Sequence, residues 1–212
     1  MRVNWSGESW RLLSERALLR ERDRTLLVAD LHLGKSAVFR AQGLPMPDGP
    51  SRETLDRLTH VLRRSEARRL FVLGDLFHAR ASRTPELGAQ LAAWRERHAE
   101  MELLLVRGNH DRHAGDPDDS LRFTCVSEPW TAEGVMLRHT PASSDAPSIA
   151  GHLHPCFKLR DRAHGNVRAP CFVLDERQLL LPAFGAFTGH AEVSRAPGRR
   201  LFVVGPDAVI EV

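Results

Sequence analysis

Three short apolar runs in the first half of the chain each stop at side chains of the kind that bind metal ions. Leu26 to Ala29 leads into Asp30-Leu31-His32, Leu70 to Leu73 into Gly74-Asp75-Leu76-Phe77-His78, and Leu103 to Val106 into Gly108-Asn109-His110-Asp111. Short runs without polar alternation read as strands buried on both faces, the pattern of a parallel sheet. Ligand sites in open α/β sheets gather at the carboxyl ends of such strands. If the three strands are neighbours, their tips converge, with Asp75 as the central carboxylate shared between two metal ions.

The connecting segments fit that sheet. After Leu33-Gly34-Lys35 the pattern turns helical, then breaks in the proline- and glycine-rich loop Gly43 to Pro50. Ser51 is the expected cap of a helix whose Leu55, Leu58, Val61 and Leu62 share a face. Thr84-Pro85 predicts the start of another, with Leu87, Leu91, Trp94 and His98 on its inner face. The amino-terminal stretch offers a short β element at Trp10 to Leu13. From about Phe123 the character changes to short strands separated by turns: Thr124 to Glu128, Val135 to Arg138, Ser148 to Ala150, Phe157 to Arg160, Val167 to Leu174, Leu179 to Leu181, Leu201 to Val204 and Ala208 to Val212. Two packed sheets with helices outside would reconcile the halves.

A chain of 212 residues fits a single domain, taken here as residues 1–212. Its 42% hydrophobic and 27% charged residues argue against extensive disorder. No segment approaches the roughly 20 apolar residues of a membrane span, and the amino terminus lacks the apolar core of a secretory signal. A cytoplasmic protein without membrane partners is the expectation. Cys125, Cys156 and Cys171 match no disulfide or zinc spacing and read as reduced core thiols. The net charge of +3 permits nucleic acid as a partner without establishing it.

Five polar clusters carry the chemistry: Asp30-x-His32, Gly74-Asp75-x-x-His78, Gly108-Asn109-His110-Asp111, His139 after an apolar run, and Gly151-His152-x-His154. Each alone has a bland reading, as a cap or a surface histidine. Together, following strand-like runs in one chain order, they supply nitrogen and oxygen ligands enough for two divalent ions. Two such ions a few ångströms apart can clamp a phosphoryl group and activate a bridging water. His113, His164 and His190 rival His139 for its corner; Val135-Met136-Leu137 favours His139 by delivering it to a sheet edge.

In this order the clusters resemble the signature of the calcineurin-like binuclear metallophosphoesterases. The resemblance implies a four-layer α/β/β/α sandwich of two mixed sheets. It implies one ion on Asp30, His32, Asp75 and His154, and another on Asp75, Asn109, His139 and His152. Manganese is favoured in both places, with iron or zinc compatible with the same ligands. His110 would face the scissile phosphate as acid or stabilising cation while Asp111 orients it, and hydrolysis would proceed by attack of a metal-bridging hydroxide. His78 stands open between a support for the site, a substrate contact and a helix-start residue.

A closer resemblance lies in the wording around the motifs: Ala29 to Lys35, Phe39-Arg40, Gly43 to Pro45, Gly74 to His78 and Leu181 to Gly189. These segments are similar to the ligase-associated DNA damage response endonucleases, a bacterial group. That kinship implies a DNA substrate, taken first as single-stranded, and functional association with a helicase, an exonuclease and a DNA ligase. Lys35, Arg40, Arg80, Arg83, Arg112, Lys158, Arg160 and Arg162 lie near the motifs in sequence and could contact phosphates. Few aromatics stand beside them, so no stacking platform for single strands is evident. A phosphodiesterase or phosphatase acting on nucleotides is the rival enzyme, and a non-catalytic scaffold the rival from another class.

Overall fold

A computed structural model of the chain describes residues 1–47, 49–161 and 165–212. The first of its two sheets takes its strands in chain order: β1 (Arg2–Trp5), β2 (Glu8–Leu13), β3 (Ala17–Arg20), β4 (Thr25–Val28), β5 (Arg69–Leu73), β6 (Glu102–Val106) and β7 (Phe123–Val126). β1 to β4 form an antiparallel meander, whereas β4 to β7 are parallel. Parallel neighbours need crossovers. These are supplied by α1 (Lys35–Ala41) and α2 (Pro50–Ser65), by α3 (Pro85–Arg97), and by α4 (Asn109–Ala114).

The second sheet comprises β8 (Trp130–Ala132), β9 (Val135–Leu137), β10 (Ser148–Ala150), β11 (Pro155–Asp161), β12 (Gly165–Leu174), β13 (Gln178–Leu180), β14 (Ala191–Glu192), β15 (Arg200–Val204) and β16 (Val209–Glu211). Its order is β14-β11-β12-β13-β10-β9-β8, with β15 beside β12 and β16 beside β15. Parallel pairing of β10 with β9 and β13 makes this sheet mixed as well.

Burial explains the apolar runs. Leu26, Val28, Leu70, Val72, Leu103 and Leu105 pack against Leu55, Leu58, Val61, Leu62, Leu87, Leu91 and Trp94 of the helices. The alternate residues Leu27, Ala29, Phe71, Leu73, Leu104 and Val106 pack against Leu137, Ile149, Phe172 and Phe202 of the second sheet. Both faces of β4, β5 and β6 are therefore core, and each fully buried leucine contributes about 1.5–3 kcal/mol. Their tips project from this core at fixed heights.

The α/β class and the two mixed sheets are as expected. Among the described residues the helices accompany the first sheet, and no α-helix follows Ala114. The physical reason is local: after Phe123 the apolar runs are strand-length and separated by turns. In the second sheet a further cluster has Phe157, Leu159, Ala169 and Val193 packed on Cys171, Val173, Leu201 and Val203. Strands β1, β3, β8 and β14 were not anticipated.

Thr84 caps α3 as expected, its hydroxyl accepting from the Leu87 N–H at 3.3 Å. Ser51 does not cap α2. The helix begins at Pro50 behind Gly49, and the Ser51 hydroxyl instead accepts the Gly34 N–H at 2.9 Å, joining α2 to the start of α1. His98 lies at the carboxyl cap of α3 against Trp94. No described helix is long and apolar enough to cross a membrane. Arg162 and His164, read from the sequence as a phosphate contact and a rival ligand, lie outside the described residues, as does Asp48; of Arg160 only the backbone is described.

Candidate metal centre

The pairing of β4 with β5 continues into their loops. Asp30 N–H donates to the Gly74 carbonyl at 3.1 Å, His32 N–H to that of Asp75 at 2.9 Å, and Leu33 N–H to that of Leu76 at 2.9 Å. The chain can do this only by turning into the left-handed region: φ is 57° at Asp30, 47° at His32 and 54° at Asp75. On the second sheet His152 and His154 adopt φ of 69° and 49°. Such residues cost of order 1–3 kcal/mol each and persist where the surroundings over-determine them. Here all five turn their side chains toward one another.

Asp111 fixes the β5 tip. Its buried carboxylate accepts N–H groups from Asp75 at 2.7 Å, Leu76 at 3.0 Å, Phe77 at 3.4 Å and Gly108 at 2.9 Å. This corrects the expectation that Asp111 orients His110. Consecutive helical residues point about 100° apart; on α4, Asp111 turns inward under β5 while the His110 Nδ1 meets the carbonyl of His78. The His110 Nε2 then faces Asp75 Oδ2 at 4.0 Å. Gly108 is required at its position, because a Cβ there would run into the Asp75 carboxylate and backbone nitrogen.

Two groups of ligand atoms result: Asp30, His32 and His154, and Asp75, His139 and His152, each with its atoms within 4.8 Å of one another. In the first group His154 Nε2 lies 3.4 Å from both Asp30 Oδ1 and His32 Nε2. In the second, His139 Nε2 lies 2.8 Å from Asn109 Oδ1, 3.0 Å from His152 Nδ1 and 3.4 Å from Asp75 Oδ2. Asp75 Oδ2 is also 3.7 Å from His32 Nε2, which puts this carboxylate between the groups. His32, His78 and His110 form a further histidine cluster beside them.

The protons reveal what these groups are suited to hold. His139 Nδ1 meets the Leu73 carbonyl at 3.0 Å and His154 Nδ1 that of Gly189 at 3.2 Å, so in the neutral rings each proton sits there and each Nε2 presents a lone pair. Those atoms face carboxylate oxygens and other ring nitrogens, with His154 Nε2 3.4 Å from the buried Asp30 Oδ1. Nitrogen and oxygen donors gathered this closely are suited to cations, and this set fits divalent ones. Burial, aided by the His154 charge, pulls His32 down to about 2, and burial lowers His152 as well. In both, burial favours the neutral ring, the form that ligates. His78 is pulled down to about 4 by burial and by His110 and Lys35. For His154 burial works against protonation, but the hydrogen bond and charge of Asp30 outweigh it and raise the ring. Burial pushes Asp75 up to about 6, with His139 pulling it down and Asp30 pushing it up. A bound cation would favour the ionised carboxylate instead.

The other sequence candidates scatter. Lys35 stands beside the histidines, and its charge disfavours protonation of His32, His78 and His154. Arg40 donates to the Pro47 carbonyl at 3.0 Å, Arg83 to that of Ala114 at 3.2 Å, and Arg112 to Glu128 at 2.9 Å. Arg80 and Lys158 are exposed, as are His113 and His190. His139 therefore occupies the corner for which His113 and His190 were rivals. Glu128 was missed altogether: its carboxylate accepts the N–H groups of His139 at 2.9 Å and Thr140 at 2.8 Å. Nothing local distinguishes this glutamate from a surface one, because the residues it holds lie on the far side of a strand turn.

The pattern of the calcineurin-like phosphoesterases matches residues 23–197. The nuclease MPE of Pseudomonas putida, known from its crystal structure, is similar at 40% identity over 99% of each chain, with a TM-score of 0.87. YfcE, a phosphoesterase from E. coli, is 16% identical over 89% of this chain and 97% of its own, with a TM-score of 0.43. No curated protein matches. The family uses pairs of divalent metal ions, and the likeness to MPE is consistent with the PdeM-like endonucleases. With ligand-competent residues gathered at the strand tips and a match spanning most of its length, the chain belongs to the calcineurin-like phosphoesterase family and is a metal-dependent hydrolase of phosphoester bonds.

Proposed function

We propose that the chain is a manganese-dependent DNA endonuclease acting on single strands, in the service of DNA repair. The observation that carries this reading is the pair of histidine-carboxylate groups meeting at Asp75, in a chain similar throughout to a nuclease. Asp30, His32 and His154 would hold one cation, Asn109, His139 and His152 the other, and Asp75 would serve both. Bound there, two cations would neutralise charge on the phosphoryl oxygens and lower the pKa of an attacking water. The repair role, and association with a helicase, an exonuclease and a ligase, rest on the sequence resemblance alone.

The protein's own groups define the rest of the reaction. His110 has its Nδ1 engaged by the His78 carbonyl, so its Nε2 is the atom free to work at the site. Protonated there, it would stabilise charge on the phosphate and pass the proton to the leaving oxygen, a contribution of typically 10²–10⁴-fold. Asp111 acts at one remove, by holding the β5 tip that carries Asp75. Lys35 adds a fixed positive charge at the rim, where a polyanionic strand would enter.

The test is hydrolysis of labelled single-stranded and duplex DNA, with manganese restored to metal-stripped protein and Asp75→Asn as control. The expected result is manganese-dependent cutting of the single strand, absent from the variant. Turnover of small phosphodiesters without cleavage of either DNA would replace this reading with a nucleotide phosphodiesterase.

A further inference from the structure

The rings of the site continue outward past His110. His78 stacks on His110 at 5.0 Å and 25°, and Phe39 of α1 meets the edge of His78 at 5.7 Å and 71°. The Lys35 ammonium lies 5.7 Å from the Phe39 ring centre and 5.8 Å from that of Phe187. Phe187 comes from the distant loop after β13 and is 41% exposed, although its neighbour Phe184 is fully buried beneath Arg57. The two phenylalanines and the lysine thus form a wall of ring, cation and ring, joined to the metal centre through two histidines.

That composition is informative. A large apolar ring left in water beside a charged site has no role in the core, and a cation held between rings needs neither of them exposed for its own sake. A polynucleotide offers the complementary pattern, with flat bases spaced by phosphates. Base stacking on aromatic rings is tolerant of sequence, because every base has a π-face. In a duplex those faces are covered by neighbouring base pairs; an unpaired strand presents them.

Resting on the nuclease reading, we propose that Phe39 and Phe187 are a nucleobase platform, and that Lys35 between them holds the phosphate of the stacked nucleotide beside the scissile one. The platform makes the enzyme select strands by their unpaired bases as well as by their backbone charge. It also supplies the stacking surface that basic residues and neighbouring aromatics do not reveal in the sequence, since α1 and the loop carrying Phe187 meet only in the fold.

The experiment compares an oligothymidylate with a strand of equal length built of abasic units, using the full manganese-loaded chain. Wild type should prefer the base-bearing strand by about tenfold in kcat/KM, the effect expected of one stacked base. Phe39→Ala and Phe187→Ala should erase most of that preference through KM, and Phe187→Trp should keep it. Fluorescence of 2-aminopurine in a strand bound to metal-free protein should be quenched by wild type and less by the alanine variants. Equal cleavage of the two strands by wild type, or a preference unchanged in the alanine variants, would overturn the platform alone. Failure of wild type to cut either strand would remove the nuclease reading and this inference with it.

Discussion

The two halves of the candidate metal centre are built differently. Around Asp75 the second group is fixed by the fold itself: the His139 ring is fully buried, its Nδ1 meets the Leu73 carbonyl, and its backbone N–H is held by Glu128. Around Asp30 the first group is looser. Each group has one close pair of ring nitrogens, His32 with His154 at 3.4 Å and His139 with His152 at 3.0 Å, but His32 Nδ1 is buried without a hydrogen-bond partner among the described residues, so nothing fixes its ring as Leu73 fixes that of His139. The His139 ring is positioned by hydrogen bonds, whereas the His32 ring would depend on a cation to settle it. Outer hydrogen bonds that fix a ligating ring typically carry 10- to 100-fold in metal affinity. The half centred on His139 should therefore bind its ion more tightly.

The largest effect should come from the residue the halves share. Asp75→Asn is expected to lower DNA cleavage by roughly 10³-fold, from the several kcal/mol that metal-assisted charge stabilisation supplies; measured cleavage near the wild-type rate would dissolve the link between the groups. His110→Ala touches both groups and ligates neither in this account. Its kcat should fall by about 10²-fold while metal content stays at the wild-type level, and loss of metal in that variant would make His110 a ligand instead. Glu128→Ala strikes only the preorganised half. Titration of metal-free protein should show one of two binding events weakened by about tenfold, and an equal loss in both events would erase the asymmetry.

The smallest effect concerns pH in the metal-free protein. His32 is held down to about 2, against 6.5 for an exposed ring, so between those values the unfolded chain takes up a proton that the folded chain refuses. Stability from this group is complete above about pH 6.5 and is lost as pH falls through that window, by about 2 kcal/mol at pH 5. Asp75, raised to about 6, works in the opposite sense, because there the folded chain binds the extra proton. The informative quantity is thus the difference between wild type and His32→Asn in urea unfolding: wild type should lose stability relative to the variant from pH 7 to pH 5. A constant difference would mean that His32 is not held neutral.

These contrasts also explain what could be read in the sequence. The tips of β4, β5 and β6 were legible because strands buried on both faces leave unbroken apolar runs, and the first polar residue after each run marks its end. Asp30 and Asp75 are those residues; His32 and Asn109 stood out through the motifs that follow the runs, and their ligand roles through the family resemblance. His139 was harder: it ends a strand of three residues, and its partners Leu73 and Glu128 reach it through pairings that no local pattern encodes. Asp111 was found as a residue but given the wrong neighbour, since a short helix decides which of two adjacent side chains turns inward. Strands β1 and β3 were lost for a similar reason: their partner is the meander itself, and Arg20, buried against Asp23, interrupts the apolar signal.

Two cations held at Asp75 with unequal strength would leave a signature in binding heats. Manganese titration of the metal-stripped wild-type chain, followed by calorimetry, tests for it most directly. Two ions per chain should bind in two resolved events, the tighter surviving His32→Asn and both lost in Asp75→Asn. A single event in the wild type, or two that persist in Asp75→Asn, would contradict it.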